Sequence, residues 1–427
     1  MQLDLEKVQE KLAPIAGKIS QNIYLQAIMK GMVMVLPITI MAAFVTLLKI
    51  FPLPAYQEFL VSHHLLTFFD IPLNFTNNFM AVIVSFAIAY ALANILAVDA
   101  FPAGLLSMIG FFIMTPFNVG GMTPMGLSFS IPSEWLGAQG LFTGILVAFV
   151  TARIYAAITR KGIIIKVPDS VPEFIAKSFS SLIPGLLILS MYTVISACFS
   201  VSEYKSIHQL IYSILQAPLT ALGSGIWSVI ILSVICQFLW FMGLHGHAIT
   251  LGVISPVWMA MDIQQLAAFS TGQELPYITG LGFFWTYTAG DLLPLAFMLA
   301  FMAKSERYKT LGKMAFVPAI FTIGEPLAYG VPLVMNVVFL IPYVVMNAVS
   351  LGLAYALTDF GILPQVAGIN VPSGTPVILS GLMQGSWKIA AFQGVLFFLR
   401  FAAWYVFFKI ADNMAVRDEQ TEGETVG

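Results

Sequence analysis

The chain has 427 residues, of which 59% are hydrophobic and 9% charged. A soluble domain carries roughly 25% charged residues, so charges this sparse cannot cover a soluble particle, and much of the surface must face lipid. The near balance of 19 Lys and Arg against 21 Asp and Glu, net −2, offers no basic face for nucleic acid.

From the N-terminus, MQLDLEKVQEKLAPIAGKIS is charged and amphipathic. It is too polar for the apolar core of a signal peptide, which places it on the cytoplasmic side. A spanning helix needs about 20 mostly apolar residues. Such stretches are predicted at 27–49, 78–98, 100–117, 138–159, 180–200, 226–243, 247–263, 281–303, 333–357 and 388–410. The third and seventh are short, and Pro256 interrupts the seventh. The fold expected is therefore an all-α integral membrane protein of about ten transmembrane helices.

Lys and Arg in the connections set the orientation. Lys7, Lys11, Lys18 and Lys30 place the N-terminus inside. Arg153, Arg160, Lys161, Lys166 and Lys177 mark one cytoplasmic loop, and Lys304, Arg307, Lys309 and Lys313 mark another. Lys409 and Arg417 place the C-terminus inside, while 50–77 and 118–137 hold no Lys or Arg. Ten crossings, with both ends cytoplasmic, satisfy all of these signs, whereas nine would put the termini on opposite sides.

Three stretches fit no simple span. Residues 203–220 read as an amphipathic helix on the membrane surface. Residues 314–332 and 361–383 are apolar but broken by proline and glycine. Non-helical backbone at membrane depth survives only where protein or a water-filled cavity satisfies its polar groups, so both read as re-entrant segments, the usual pointer to a transporter's binding site. Polar residues at membrane depth concentrate after residue 225. The expected division is a scaffold and dimerisation half at 1–200, an amphipathic segment at 201–225, a transport half at 226–412 and a short tail at 413–427.

Within the transport half, Glu325 lies in IGEPLAYG, between a glycine and a proline. A carboxylate there either caps the helix beginning at Pro326 or faces a polar cavity and accepts hydrogen bonds from a ligand. His245 and His247 lie in LWFMGLHGHAIT. No third ligand supports metal, and Gly243 and Gly246 beside His245 permit close approach of a ligand or of backbone. Trp387 and Lys388 open the last predicted span, where a tryptophan is either an interfacial anchor or a stacking surface for a sugar. Asp291 and Arg400 lie deep in predicted spans, either paired or lining a cavity. Cys198 and Cys236 lack metal or redox spacing and read as small buried hydrophobes. Phosphate-loop, dinucleotide and serine-elbow motifs are absent, so energy must come from an ion gradient or from a partner.

Together LWFMGLHG, VPDSVPEFIAKSFSSLIPG, IGEPLAYGVPLVMN with FLIPY, and VPSGTPVILSG resemble, over nearly the whole chain, the enzyme IIC component of the bacterial phosphoenolpyruvate-dependent sugar phosphotransferase system. The resemblance is to the lactose/cellobiose/diacetylchitobiose group. It implies a homodimer of ten-helix protomers with re-entrant hairpins, whose first half makes the dimer contact and whose second half holds the sugar. It also implies a soluble IIB partner whose phosphocysteine phosphorylates a β-linked disaccharide as it enters across the bacterial cytoplasmic membrane, with no cofactor. By the same resemblance His245 and Glu325 are the catalytic positions, and they bind substrate with Gly243, Gly246, Gly324 and Trp387. Many members carry asparagine where this chain has Gly324, which removes one amide contact. Neither cysteine lies where a phosphocysteine is expected, and the tail RDEQTEGETVG contains no IIB domain, so the donor is expected on a separate chain. The competing expectation is an ion-coupled sugar transporter in which Glu325 is a proton site.

Overall fold

In the computed structural model the described residues are 14, 17–19, 21–49, 54–123, 126–168, 171–331, 333–371 and 374–426. Most of the predicted terminal amphipathic segment therefore lies outside the described residues. Among the described residues seven helices are long and apolar enough to cross a membrane, or eight if one bent pair is a single span.

The chain divides into two compact units, one formed by 20–222 with 254–274 and the other by 1–19, 223–253 and 275–427. The first holds α1 (Ile23–Lys49), α2 (Pro54–Ser62), α3 (Leu66–Thr76), α4 (Met80–Ile95) and α5 (Ala100–Met114). An antiparallel hairpin of β1 (Asn118–Thr123) and β2 (Gly126–Ser130) follows, then α6 (Leu141–Arg160), α7 (Glu173–Ser180), α8 (Leu182–Ser200), α9 (Ile207–Ile211) and α10 (Ala217–Gly223). Its core is built from small residues on α4 and α5, including Ala81, Ala93, Ala100 and Ala103, which let neighbouring helices approach closely around Phe111, Tyr155 and Tyr192. Lys49 at the end of α1 donates to Asp70 at 2.6 Å and to the Ser270 carbonyl at 2.9 Å.

The segment predicted as an amphipathic surface helix is helical from Ile207 to Gly223, with one π turn at Tyr212–Gln216. The chain then enters the second unit with α11 (Ile226–Phe241). Next, α12 runs unbroken from Gly246 to Thr271 with Pro256 inside it. The interruption expected at Pro256 does not occur, because packing sustains a helix that has lost one backbone bond.

The second unit continues with α13 (Leu281–Thr288) and α14 (Leu293–Met302), separated by a break. It then holds α15 (Glu306–Ile320), α16 (Glu325–Gly330), α17 (Leu340–Asp359), α18 (Val377–Met383) and α19 (Trp387–Val426). Residues 314–332, expected to be broken, form a helix–turn–helix: α15 passes through Pro318, turns at 321–324 and restarts as α16. Residues 364–371 form no regular element, with Gly368 at φ 76°, and the Gln384 amide pairs with one residue of the stretch like a neighbouring strand, accepting from Ile369 N–H at 3.3 Å and donating to its carbonyl at 2.8 Å.

The expected short tail is instead the continuation of α19, which reaches Val426. Two carboxylates on that extension hold the start of α15. Asp412, buried, accepts from Lys304 N–H at 3.0 Å through both oxygens and from Ser305 N–H at 3.0 Å. Glu419 accepts from the Ser305 hydroxyl at 2.6 Å and from the backbone of Glu306 and Arg307 at 3.3 and 3.1 Å. The first N–H groups of a helix have no partner within it, and these acids supply the partners where the helix dipole favours negative charge. Asp412→Asn, which leaves one neutral acceptor and turns an NH2 toward N–H donors, is expected to cost about 1.5–3 kcal/mol. Thermal unfolding of the purified protein in detergent checks this, and an unchanged midpoint would show that the carboxylate does not hold α15.

Candidate functional site

The corner between α11 and α12 carries both histidines. Helix α11 closes with a Schellman pattern, in which Leu244 N–H donates to the Leu239 carbonyl at 2.9 Å and Gly243 N–H to the Trp240 carbonyl at 3.0 Å. That pattern needs a left-handed residue, and Gly243 supplies it at φ 76°. Gly246 is required for a different reason: a Cβ there would lie 2.0 Å from the Cys236 carbonyl oxygen and 2.8 Å from the Trp240 ring.

His245 is exposed and caps α12, its Nδ1 accepting from Ala248 N–H at 3.2 Å. An accepting Nδ1 places the ring proton on Nε2, so the free side of the ring is a hydrogen-bond donor. Its ring also lies 4.5 Å from that of Trp240. His247 is half-buried, and its Nδ1 accepts from the Trp240 indole at 3.1 Å, with Trp285 against its ring at 5.0 Å. Trp240 thus touches both histidines, His245 by a tilted ring contact and His247 by its N–H. It stands in the quoted sequence LWFMGLHG, but only its place in an apolar run was legible there; its five- and seven-residue spacing to the histidines was the usable signal.

Helix α16 begins at Glu325, whose side chain lies outside the described residues. The backbone around it is held to the histidine corner. Met335 N–H, just beyond α16, donates to the Phe241 carbonyl at 2.9 Å. Trp240, Phe241, Met242, Leu292, Leu327, Val331 and Leu333 share one buried cluster. A Cβ on Gly324 would lie 2.9 Å from Leu292 Cδ1, so any side chain at that position must displace a leucine. The second broken stretch also approaches, since a Cβ on Gly374 would lie 4.0 Å from the Phe321 carbonyl.

Trp387 opens α19, is 70% exposed and makes no ring contact among the described residues. Asp291 and Arg400 form no ion pair within 4 Å among the described residues. Each is satisfied separately. Asp291, in the break between α13 and α14, accepts from Leu292 N–H at 2.8 Å, Asn347 at 2.9 Å and Gln237 at 3.5 Å. Arg400, 2% exposed, donates to Ser350 at 3.1 Å, to the Ala289 carbonyl at 2.9 Å and to the Tyr287 carbonyl. The guanidinium therefore occupies carbonyls that the break leaves without helical partners. The amide partners Gln237 and Asn347 carried no recognisable sequence signal.

The family described as Phosphotransferase system, EIIC, matches residues 29–346. The cellobiose-specific EIIC component of Geobacillus stearothermophilus is 35% identical over 435 aligned positions, covering 98% of this chain and 96% of that protein. The oligo-beta-mannoside-specific EIIC component of Bacillus subtilis (strain 168) is 33% identical and covers 98% and 97%. The crystal structure of the transporter ChbC, the IIC component from the N,N'-diacetylchitobiose-specific phosphotransferase system, matches with a TM-score of 0.89 at 32% identity, covering 97% of this chain and 99% of that one.

Gly246→Ala is expected to open the α11–α12 corner, because a backbone carbonyl cannot step aside as a side chain can. The expected cost is about 1–3 kcal/mol, with loss of ligand binding even where the protein stays folded. Paired thermal unfolding and binding measurements check this; wild-type binding by Gly246→Ala would show that the corner tolerates a methyl group.

Proposed function

The chain belongs to the EIIC family of the phosphotransferase system, and on that footing we propose how its residues serve a sugar permease. It is a multi-pass membrane permease that takes a β-linked disaccharide such as cellobiose, diacetylchitobiose or lactose into the cytoplasm and works with a IIB protein. The names of the relatives support that sugar class, and family membership favours coupling to phosphorylation over the ion-coupled alternative. The finer architecture proposed is ten crossings with both termini cytoplasmic.

The observation that carries the site assignment is the fixed tautomer of His245 at a corner tied to the backbone beyond Glu325. His245 Nε2–H offers a donor to a sugar oxygen. The Glu325 carboxylate accepts from the sugar's 6-hydroxyl, and Gly243, Gly246 and Gly324 leave room for the ring. Trp387 is assigned as the stacking surface for the sugar's apolar face, consistent with its exposure. In the transfer step the 6-hydroxyl oxygen bonds to phosphorus as the sulfur–phosphorus bond of the partner's phosphocysteine breaks, and the hydroxyl proton passes to the Glu325 carboxylate that held it. The leaving thiolate stays on IIB, and the permease contributes position and electrostatics.

Glu325→Gln is expected to lower coupled phosphorylation on the order of 10–100-fold, from a loss of about 1.5–3 kcal/mol for a charge-assisted bond. Sugar binding should fall less. His245→Ala should weaken both, and His247→Ala should be milder. Parallel assays of sugar binding and phosphoryl transfer, with purified IIB and the upstream phosphotransfer proteins, separate these outcomes. Near-normal phosphorylation by Glu325→Gln would leave that carboxylate a helix cap only.

The assembly proposed is a parallel homodimer that contacts through residues before about 200. Its support is α8, whose apolar window is only 22% buried within the chain, with Leu186 69% and Val194 62% exposed. Cysteine cross-linking should join α8 regions of two protomers; cross-links confined to 280–410 would refute this arrangement.

A further inference from the structure

Helix α6 carries an arrangement that sugar transport does not use. Arg153, Ala156, Ala157 and Arg160 stand at spacings of three, four and seven, which places them on one helical face. With Ile154 they line a recess of about 310 Å³, bracketed by the two guanidinium groups and floored by alanines too small to fill it. Arg160, at the helix end, is fixed by donation to the carbonyl of Leu96, the residue that closes α4. That bond uses one of its five donors. Arg153 is exposed and has neither a carboxylate nor a hydrogen-bond partner among the described residues.

Depth makes the unpaired arginine informative. Seven residues at 1.5 Å per residue place Arg153 about 10 Å inward from Arg160 along the axis. Both lie in the candidate span Ala138–Arg160, whose most apolar 18-residue window has a mean hydropathy of 1.9. A cation two turns inside a spanning helix is costly unless it reaches a counter-charge. The long arginine side chain can run toward the headgroup plane while its stem stays in hydrocarbon. The anion abundant at that plane is a phosphodiester, and the flat guanidinium fork matches its paired oxygens. Exposed Lys161 adds positive charge at the same end.

We propose that the recess between Arg153 and Arg160 is a binding site for the phosphodiester headgroup of an anionic phospholipid in the leaflet at the C-terminal end of α6. Arg160 is the fixed contact, Arg153 folds down onto the same phosphate, and the alanine floor accepts the glycerol end of the lipid. The site is independent of the sugar and phosphotransfer assignments.

The test is native mass spectrometry of the full chain, released from bilayers of phosphatidylcholine containing a minor fraction of phosphatidylglycerol. Wild type should retain phosphatidylglycerol in preference to phosphatidylcholine. Arg153→Gln should weaken that retention about fivefold, the effect of one basic residue at a membrane surface, while Lys313→Gln on α15 should leave it unchanged. Arg153→Lys keeps the charge without the fork and should fall between the two, which preserves the test if the glutamine variant does not fold. Equal retention by wild type and a folded Arg153 variant overturns the proposal. So does displacement of phosphatidylglycerol by millimolar inorganic phosphate, which would mark a free-anion site. Dissociation of a dimer in Arg153→Gln with lipid retention unchanged would assign the arginine to a protein contact and overturn it equally.

Discussion

A polar backbone group with no partner in hydrocarbon costs several kcal/mol, and the second unit is organised around meeting that requirement at its breaks. Between α13 and α14, Arg400 occupies the Tyr287 and Ala289 carbonyls while Asp291 takes the Leu292 N–H. Along the irregular stretch before α18, Gln384 bonds both backbone groups of Ile369. At α18 itself, Gln393 accepts from Gly381 N–H and donates to the Thr286 carbonyl. Each side chain stands in for a missing strand or helical turn, and each ties its break to a continuous helix. Irregular backbone of this kind lets small polar groups be presented away from a helix axis, which a bundle of unbroken spans cannot do.

The histidine corner follows the same economy of parts. Gly243 ends one helix, His245 caps the next, and Gly246 lets them meet against the Cys236 carbonyl. Because capping consumes Nδ1, the proton position on His245 is set by secondary structure and does not depend on a bound sugar. Trp240 fixes His247 in the same sense. Donors aligned before a ligand arrives lose little in reorganisation when one binds.

Much of this was legible in the sequence for identifiable reasons. The apolar stretches announced themselves because twenty apolar residues have few other uses, and helical residues fall on each, though among the described residues seven helices, or eight with the bent pair, are long and apolar enough to span. Glu325 and His245 stood out as polar groups flanked by glycine or proline inside apolar segments. Pro256 misled, because sequence alone shows the lost backbone bond but not the neighbours that compensate for it. The extent of α19 was hidden for the opposite reason: RDEQTEGETV reads as a solvated tail, and only the distant contacts of its Glu419 to residues 305–307 tie it to the rest of the unit. The separation of Asp291 from Arg400 was likewise illegible, since opposite charges at similar depth suggest a pair, whereas Asn347, Gln237 and backbone carbonyls satisfy each apart.

The grip of α19 on α15 also has a mechanical meaning. Asp412 and Glu419 stand two turns apart on one rod and hold successive N–H groups of residues 304–307. Two anchor points on a rigid element remove both sliding and axial rotation of the helix they hold. Helix α15 is thereby registered on α19 at its base, while Ala315 and Ala319 near its far end share the buried cluster of Leu327 and Val331. The clamp stands fifteen residues, about 22 Å at 1.5 Å per residue, from the turn that leads into Glu325, so that segment takes its position from both ends of one helix.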